Sequence, residues 1–278
     1  ATLNFMGDGE FDISGNLGPI AVASDDGADT LVNYGTVTTL TFGGGADDDV
    51  FVNNGEVEVL TFSGGADDDT LQNNDVVTTL TFNGGADDDV LIANADGTGS
   101  ITFNGDDGVD SLINNGDGFA ALTFNGGAGA DVLRAHGTGL GSIVFAGGTD
   151  VAADTFNFIG TAASGSSVTF SGGPGNDLLA WRGSADTLNF TGDAGDDSCI
   201  IVGSGVLSLD GGDGDDTVYF QADLQASVTV VESGGGVGDT SSDTLNFSSY
   251  TGGSLNLDLR STAAQAQSSK FTLTLSNG

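Results

Sequence analysis

The fold class this sequence predicts is all-β, a parallel β-solenoid (a β-roll or β-helix) whose coils take about 20 residues each. Three observations carry it. An acidic cluster recurs at a near-constant step, apolar residues alternate in twos on either side of it, and glycine marks every corner while proline is nearly missing.

The block LTFGGGADDDVFVNNG from Leu40 returns as LTFSGGADDDTLQNND from Leu60 and LTFNGGADDDVLIANA from Leu80. Later copies drift but stay legible: ITFNGDDGVDSLINNG from Ile101, LTFNGGAGADVLRAHG from Leu122 and VTFSGGPGNDLLAWRG from Val168. LNFTGDAGDDSCIIVG from Leu188 and LSLDGGDGDDTVYF from Leu207 complete the series. More divergent coils start at Leu3, Ile20 and Ile143, the last with an insertion around Thr149–Ala153. Aligning the final Asp of each cluster gives Asp29, Asp49, Asp69, Asp89, Asp110, Asp131, Asp154, Asp177, Asp197 and Asp216. The steps are 20, 20, 20, 21, 21, 23, 23, 20 and 19 residues, with Asp12 and Asp243 as weaker members at either end. A single coil is too thin to bury its own apolar residues, so the core exists only in the stack. About eleven coils spaced ~4.8 Å apart make a rod roughly 50 Å long.

Within a coil, Leu40 and Phe42 flank Thr41, and Leu60/Phe62, Leu80/Phe82, Ile101/Phe103, Leu122/Phe124 and Val168/Phe170 repeat the pattern. Period two turns these residues inward and the threonines outward. Beyond the corner, a second strand has Phe51, Leu71, Leu91, Leu112, Leu133, Leu179 and Val218 as its inward column. Two residues further on, Asn33, Asn53, Asn73 and Asn114 are placed to form a ladder of stacked amides. Glycine breaks every 3.6-residue stripe, so no helix is expected. Cys199 is the only cysteine and excludes an internal disulfide; in the run Cys199-Ile200-Ile201-Val202 it reads as a buried hydrophobe.

The chain has 40 Asp+Glu against 4 Lys+Arg, a net charge of −36. Disorder is the obvious rival, but 38% hydrophobic residues, with 17 Phe falling largely in register, favour order. Such charge disfavours nucleic acid and anionic membranes as partners. No 18-residue apolar run offers membrane insertion. Arg134, Arg182, Arg260 and Lys270 cannot neutralise it; the first two follow corners and are expected to pair with acids on the same edge. Stacked carboxylates ~4.8 Å apart repel by ~0.9 kcal/mol per pair even in water. A bridging cation is therefore expected, the plainer alternative being a solvated acidic edge that discourages aggregation.

Gly126-Gly127-Ala128-Gly129-Ala130-Asp131-Val132-Leu133 has the form G-G-x-G-x-D-x-U. So do Gly172-Gly173-Pro174-Gly175-Asn176-Asp177-Leu178-Leu179 and Gly211-Gly212-Asp213-Gly214-Asp215-Asp216-Thr217-Val218. These segments resemble the RTX, or haemolysin-type, calcium-binding repeats of very large secreted or cell-surface bacterial proteins, over most of residues 20–220. The resemblance implies several calcium ions along one edge, one calcium turn per coil. Asp131, Asp177 and Asp216 would be the best-matched ligands, followed by Asp197 and Asp110, with Asp29, Asp49, Asp69 and Asp89 in the same column. Calcium takes oxygen ligands, and glycine corners can aim several carbonyls at one point. Two features depart from the family pattern. Only one half of each coil carries the motif, and Asp47, Asp67 and Asp87 stand where the fourth-position glycine belongs. An Asp enters left-handed backbone less cheaply than Gly, so the corner is expected to differ there, with Asp47, Asp48 and Asp49 sharing ligand duty.

Parallel β-helices also host polysaccharide-active enzymes, but His136 is the only histidine, and the paired carboxylates follow the repeat without marking a catalytic centre. Ice binding would use the column Thr41, Thr61, Thr81, Thr102 and Thr123, which Val144, Asn189 and Ser208 interrupt. Residues 1–226 read as the repeat array and 227–278 as a divergent β segment that continues or caps it. Neither end shows a polar cap, so end-to-end self-association or contact with adjacent domains of a longer chain is expected. The functional expectation is a non-enzymatic, calcium-stabilised structural protein outside the cell or on its surface: a filament, surface layer or matrix component. The stalk of a calcium-dependent adhesin is the alternative.

Overall fold

The computed structural model describes residues 2–4, 9–24, 26–222, 225–232, 243–250, 265–266 and 272–277. Parallel strands stack into a β-solenoid of about 11 turns, about 20 residues per turn, without helix among the described residues. Each full coil contributes two strands. The longer ones, such as Thr36–Gly45, Val57–Ala66 and Val77–Ala86, build a 15-stranded sheet. The shorter ones, such as Val50–Asn53, Thr70–Asn73 and Val90–Ala93, build a 12-stranded sheet. Equivalent residues stand in register from coil to coil, Leu40 on Leu60 on Leu80 on Ile101. The coil is thus two-sided. Its acidic corner leads from a long strand to a short one, and a second corner leads on to the next long strand.

The core is a set of columns. Phe42, Phe62, Phe82, Phe103, Phe124, Phe145 and Phe170 stack with centroids 4.8–5.0 Å apart and planes within 8°. Isolated rings prefer offset or edge-on contact. Here the rung spacing imposes the stack, and Phe51 and Phe156 from the opposite sheet meet it edge-on at 5.9–6.1 Å. Cys199 is buried in the same core. The amide ladder holds for three rungs, Asn33 Nδ2 donating to Asn53 Oδ1 and Asn53 to Asn73, at 2.7 and 2.8 Å. Ala93 then interrupts it, and Asn114 Nδ2 donates instead to the carbonyls of Gly116 and His136. Further on the same column is apolar, with Phe158 and Trp181 stacked at 4.4 Å.

The insertion around Thr149–Ala153 is absorbed in its corner, where Asp150 accepts from the Gly129 amide, and Thr155 regains register with Val132. Gln225–Glu232, Thr244–Tyr250 and Thr272–Asn277 pair in parallel with preceding strands. Residues 251–264, with Arg260, and also Lys270, lie outside the described residues.

The expected pairing of Arg134 and Arg182 with acids does not occur: neither makes an ion pair among the described residues. Arg134 stands on the outward face of the short-strand sheet, where no Asp or Glu points outward between Thr30 and Tyr219. Arg182 Nη1 donates to Asn157 Oδ1 at 3.2 Å instead.

Candidate metal centre

Two-residue alternation extends into the acidic corner from both sides and changes phase within it. Leu40, Phe42 and Gly44 face inward on the long strand, and Asp49, Phe51 and Asn53 face inward on the short one. The closing Asp of every cluster is therefore inside the rod. Asp29, Asp49, Asp69, Asp89, Asp110, Asp131, Asp154, Asp177, Asp197 and Asp216 are at most 7% exposed. They form one continuous ladder. The backbone amide of each donates to Oδ1 of the next, from Asp29 to Asp49 through Asp197 to Asp216, at 2.7–2.9 Å. The Asp216 amide continues it to Asp243 Oδ1 at 3.0 Å, whereas Asp12 pairs with Val32 and stays exposed outside the ladder.

The second carboxylate oxygen has no such partner. Oδ2 of Asp49, Asp69, Asp89, Asp110, Asp131, Asp177, Asp197 and Asp216 is buried without a hydrogen bond, and in Asp29 both oxygens are. Each Oδ2 from Asp49 onward leans over the inward glycine of its own corner: a Cβ added at Gly64, Gly84, Gly126 or Gly172 would overlap it. Glycine at this position makes room for the carboxylate. The same point beside Gly105 lies 2.6 Å from the Gly126 carbonyl oxygen, and that beside Gly126 lies 2.6 Å from the Gly147 carbonyl oxygen. A carboxylate oxygen and a carbonyl of the next coil thus converge where nothing donates. An unmatched buried acceptor costs about 1–3 kcal/mol.

Burial drives the ladder carboxyls well above the ordinary carboxylate range; the amide bond from the preceding coil pulls back, and neighbouring carboxylates push further up. Asp49, Asp110, Asp177 and Asp216 are raised to about 6. Asp69, Asp154 and Asp197 are raised to about 7, and Asp89 and Asp131 to about 8.

Asp47, Asp67 and Asp87 occupy the outer corner with φ of 69–71°, in left-handed backbone. At the equivalent place Gly108, Gly129, Gly175, Gly195 and Gly214 have φ of 128–147°. The corner does differ between the two sets of coils, through this angle. Asp47 and Asp48 are exposed while Asp49 points inside, so the three do not surround one point. Among the described residues no three acid, imidazole or thiol groups gather into a metal cluster. An ion shell here must combine ladder carboxylates with backbone carbonyls. Changing Asp47, Asp67 and Asp87 together to Gly relieves the left-handed strain, net of glycine's greater unfolded-chain entropy, by about 0.5 kcal/mol each. Removing three exposed charges adds to this. Thermal melting without calcium is expected to rise by roughly 5 °C.

No family model, curated protein or solved structure matches the chain. The centre is defined by its own geometry: a column of oxygen atoms, buried, periodic and short of a donor at every ladder Asp from Asp29 to Asp216 except Asp154.

Proposed function

We propose that this chain is a calcium-stabilised structural rod that works outside the cell, as part of a filament, surface layer or matrix. The observation that carries it is the unpartnered Oδ2 of the ladder, repeated from coil to coil, with a carbonyl of the next coil close by at the corners of Asp49, Asp110, Asp131 and Asp197. The donor set is all oxygen, carboxylate and carbonyl, which suits a hard cation and offers nothing to a soft one. Asp49, Asp69, Asp89, Asp110, Asp131, Asp177, Asp197 and Asp216 would hold the ions, with carbonyls of the inward glycines. Asp29, with both oxygens unpartnered, would serve its own coil, and Asp47, Asp67 and Asp87, exposed on the outer side of the corner, would draw cations to it without joining the buried shell. Bound calcium supplies the positive charge that lets the carboxylates stay ionised inside the stack. Metal binding and folding are then one equilibrium.

A calcium titration of the chelated chain at pH 8, followed by circular dichroism, tests this. We expect a cooperative gain of β signal near ~0.1–1 mM calcium, the range of extracellular calcium modules, reversed by chelator. A chain that keeps its full β signal and thermal midpoint in excess chelator at this pH would refute the proposal.

A further inference from the structure

We propose that a groove across the second corners of three successive coils binds a carboxylate-bearing saccharide chain. Arg134 and Arg182 are the two arginines among the described residues, and they sit together. Arg134 is the rung neighbour of Asn157 on the outward face, and Arg182 Nη1 donates to Asn157 Oδ1. Two exposed guanidiniums thus bracket one amide, in a chain of net charge −36. Arg134 stands on an outward strand face without carboxylates, and Arg182 in the corner that follows Leu178–Trp181, where Asp186 already accepts from the Gly165 amide and the Ser164 hydroxyl. Beside them runs an open groove of about 410 Å³ lined by Thr161, Arg182, Ser184 and Ser204 over a glycine floor. A Cβ at Gly183 would overlap the Gly160 carbonyl oxygen, so stacking itself keeps the floor free of side chains.

The chemistry selects the ligand. Guanidinium pairs with carboxylate through two parallel hydrogen bonds. The serine and threonine hydroxyls match sugar hydroxyls, and the volume falls in the range of ligand sites. A second copy of the chain also carries carboxylates, but it brings 36 net negative charges to a body of the same charge, whereas a short uronate oligomer brings a few. The inference stands apart from the calcium ladder, which lies along the other corner.

Isothermal titration of the calcium-loaded full chain with an oligogalacturonate, against a neutral oligosaccharide of the same length, tests it. We expect binding tighter than about 1 mM for the acidic oligomer alone, weakened by added salt. Arg182→Ala should weaken it about tenfold or more, Arg182→Lys less, and Arg134→Ala with Arg182→Ala should abolish it. Thr61→Ala, on the opposite sheet, should leave it unchanged. All four changes are at exposed or half-buried outward positions, and circular dichroism confirms the fold of each. Equal binding of the neutral oligomer, undiminished binding by the double variant, or none by the parent chain at about 10 mM overturns the proposal. Loss of self-association in the double variant without saccharide binding also overturns it and assigns the arginines to a second copy.

Discussion

Without calcium, the rod will be more stable at pH 5 than at pH 8, the reverse of ordinary acid denaturation. Nine ladder carboxyls have folded-state values of about 6–8, above the unfolded value of 3.8. The folded state therefore holds protons more tightly than the unfolded chain. Stability from these groups is full below pH ~4 and is lost as pH rises through 6–8. Counted at only two units each, nine shifts at about 1.4 kcal/mol per unit, halved for solvent screening at the corner, come to roughly 13 kcal/mol. That rivals the ~5–15 kcal/mol that holds a whole domain. A proton on Oδ2 can donate to the adjoining carbonyl, and calcium can replace it. The difference in thermal midpoint with and without calcium should therefore be large at pH 8, above roughly 15 °C, and close to zero at pH 5. A calcium-free midpoint that is flat or rises from pH 5 to pH 8 would show that the ladder is not the controlling element.

The second large effect belongs to a methyl group. Gly126→Ala is expected to cost about 4 kcal/mol, because the new Cβ overlaps Asp131 Oδ2 and lies 2.6 Å from the Gly147 carbonyl oxygen. Gly126 does not need left-handed backbone, so space alone is at issue. Gly43→Ala makes the matched control: nothing lies within 4 Å of its added Cβ, and the change should stay within ~0.5 kcal/mol. Asp131→Ala removes the obstructing carboxylate. Combined with Gly126→Ala it should therefore cost clearly less than the two single changes added, a coupling of about 1 kcal/mol or more. Denaturant unfolding of the four proteins in calcium measures it, and a Gly126→Ala as mild as Gly43→Ala would sink the packing account.

The stack was legible because the same residues return at a fixed step. Leu40, Phe42 and Thr41 declare their faces by alternation alone, and the structure places them so. The direction of the closing Asp was less plain, since a charged residue beside two others reads as rim. Yet Asp49 stands two before Phe51, and Gly44 two after Phe42; extending each strand's own alternation to the edge of the corner turns both inward. The arginines were misplaced for a different reason. Pairing was inferred from nearness in sequence to acidic corners, whereas Arg134 belongs to an outward column that holds no acid, a property of rungs many residues apart. The amide ladder was legible at Asn33, Asn53 and Asn73, but Ala93 leaves Asn114 without the neighbour it needed.

The orientation of the hydrogen bonds has a mechanical consequence. Strands lie across the rod, so backbone bonds, the carboxylate ladder and the phenyl stack all point along its axis. Tension applied end to end loads every bond of a rung at once and side by side. Such a rod resists stretching up to a sharp yield and then opens between two coils, which the chain still joins through the second corner. Seated between coils, divalent ions would act as rivets at the seam that must give way.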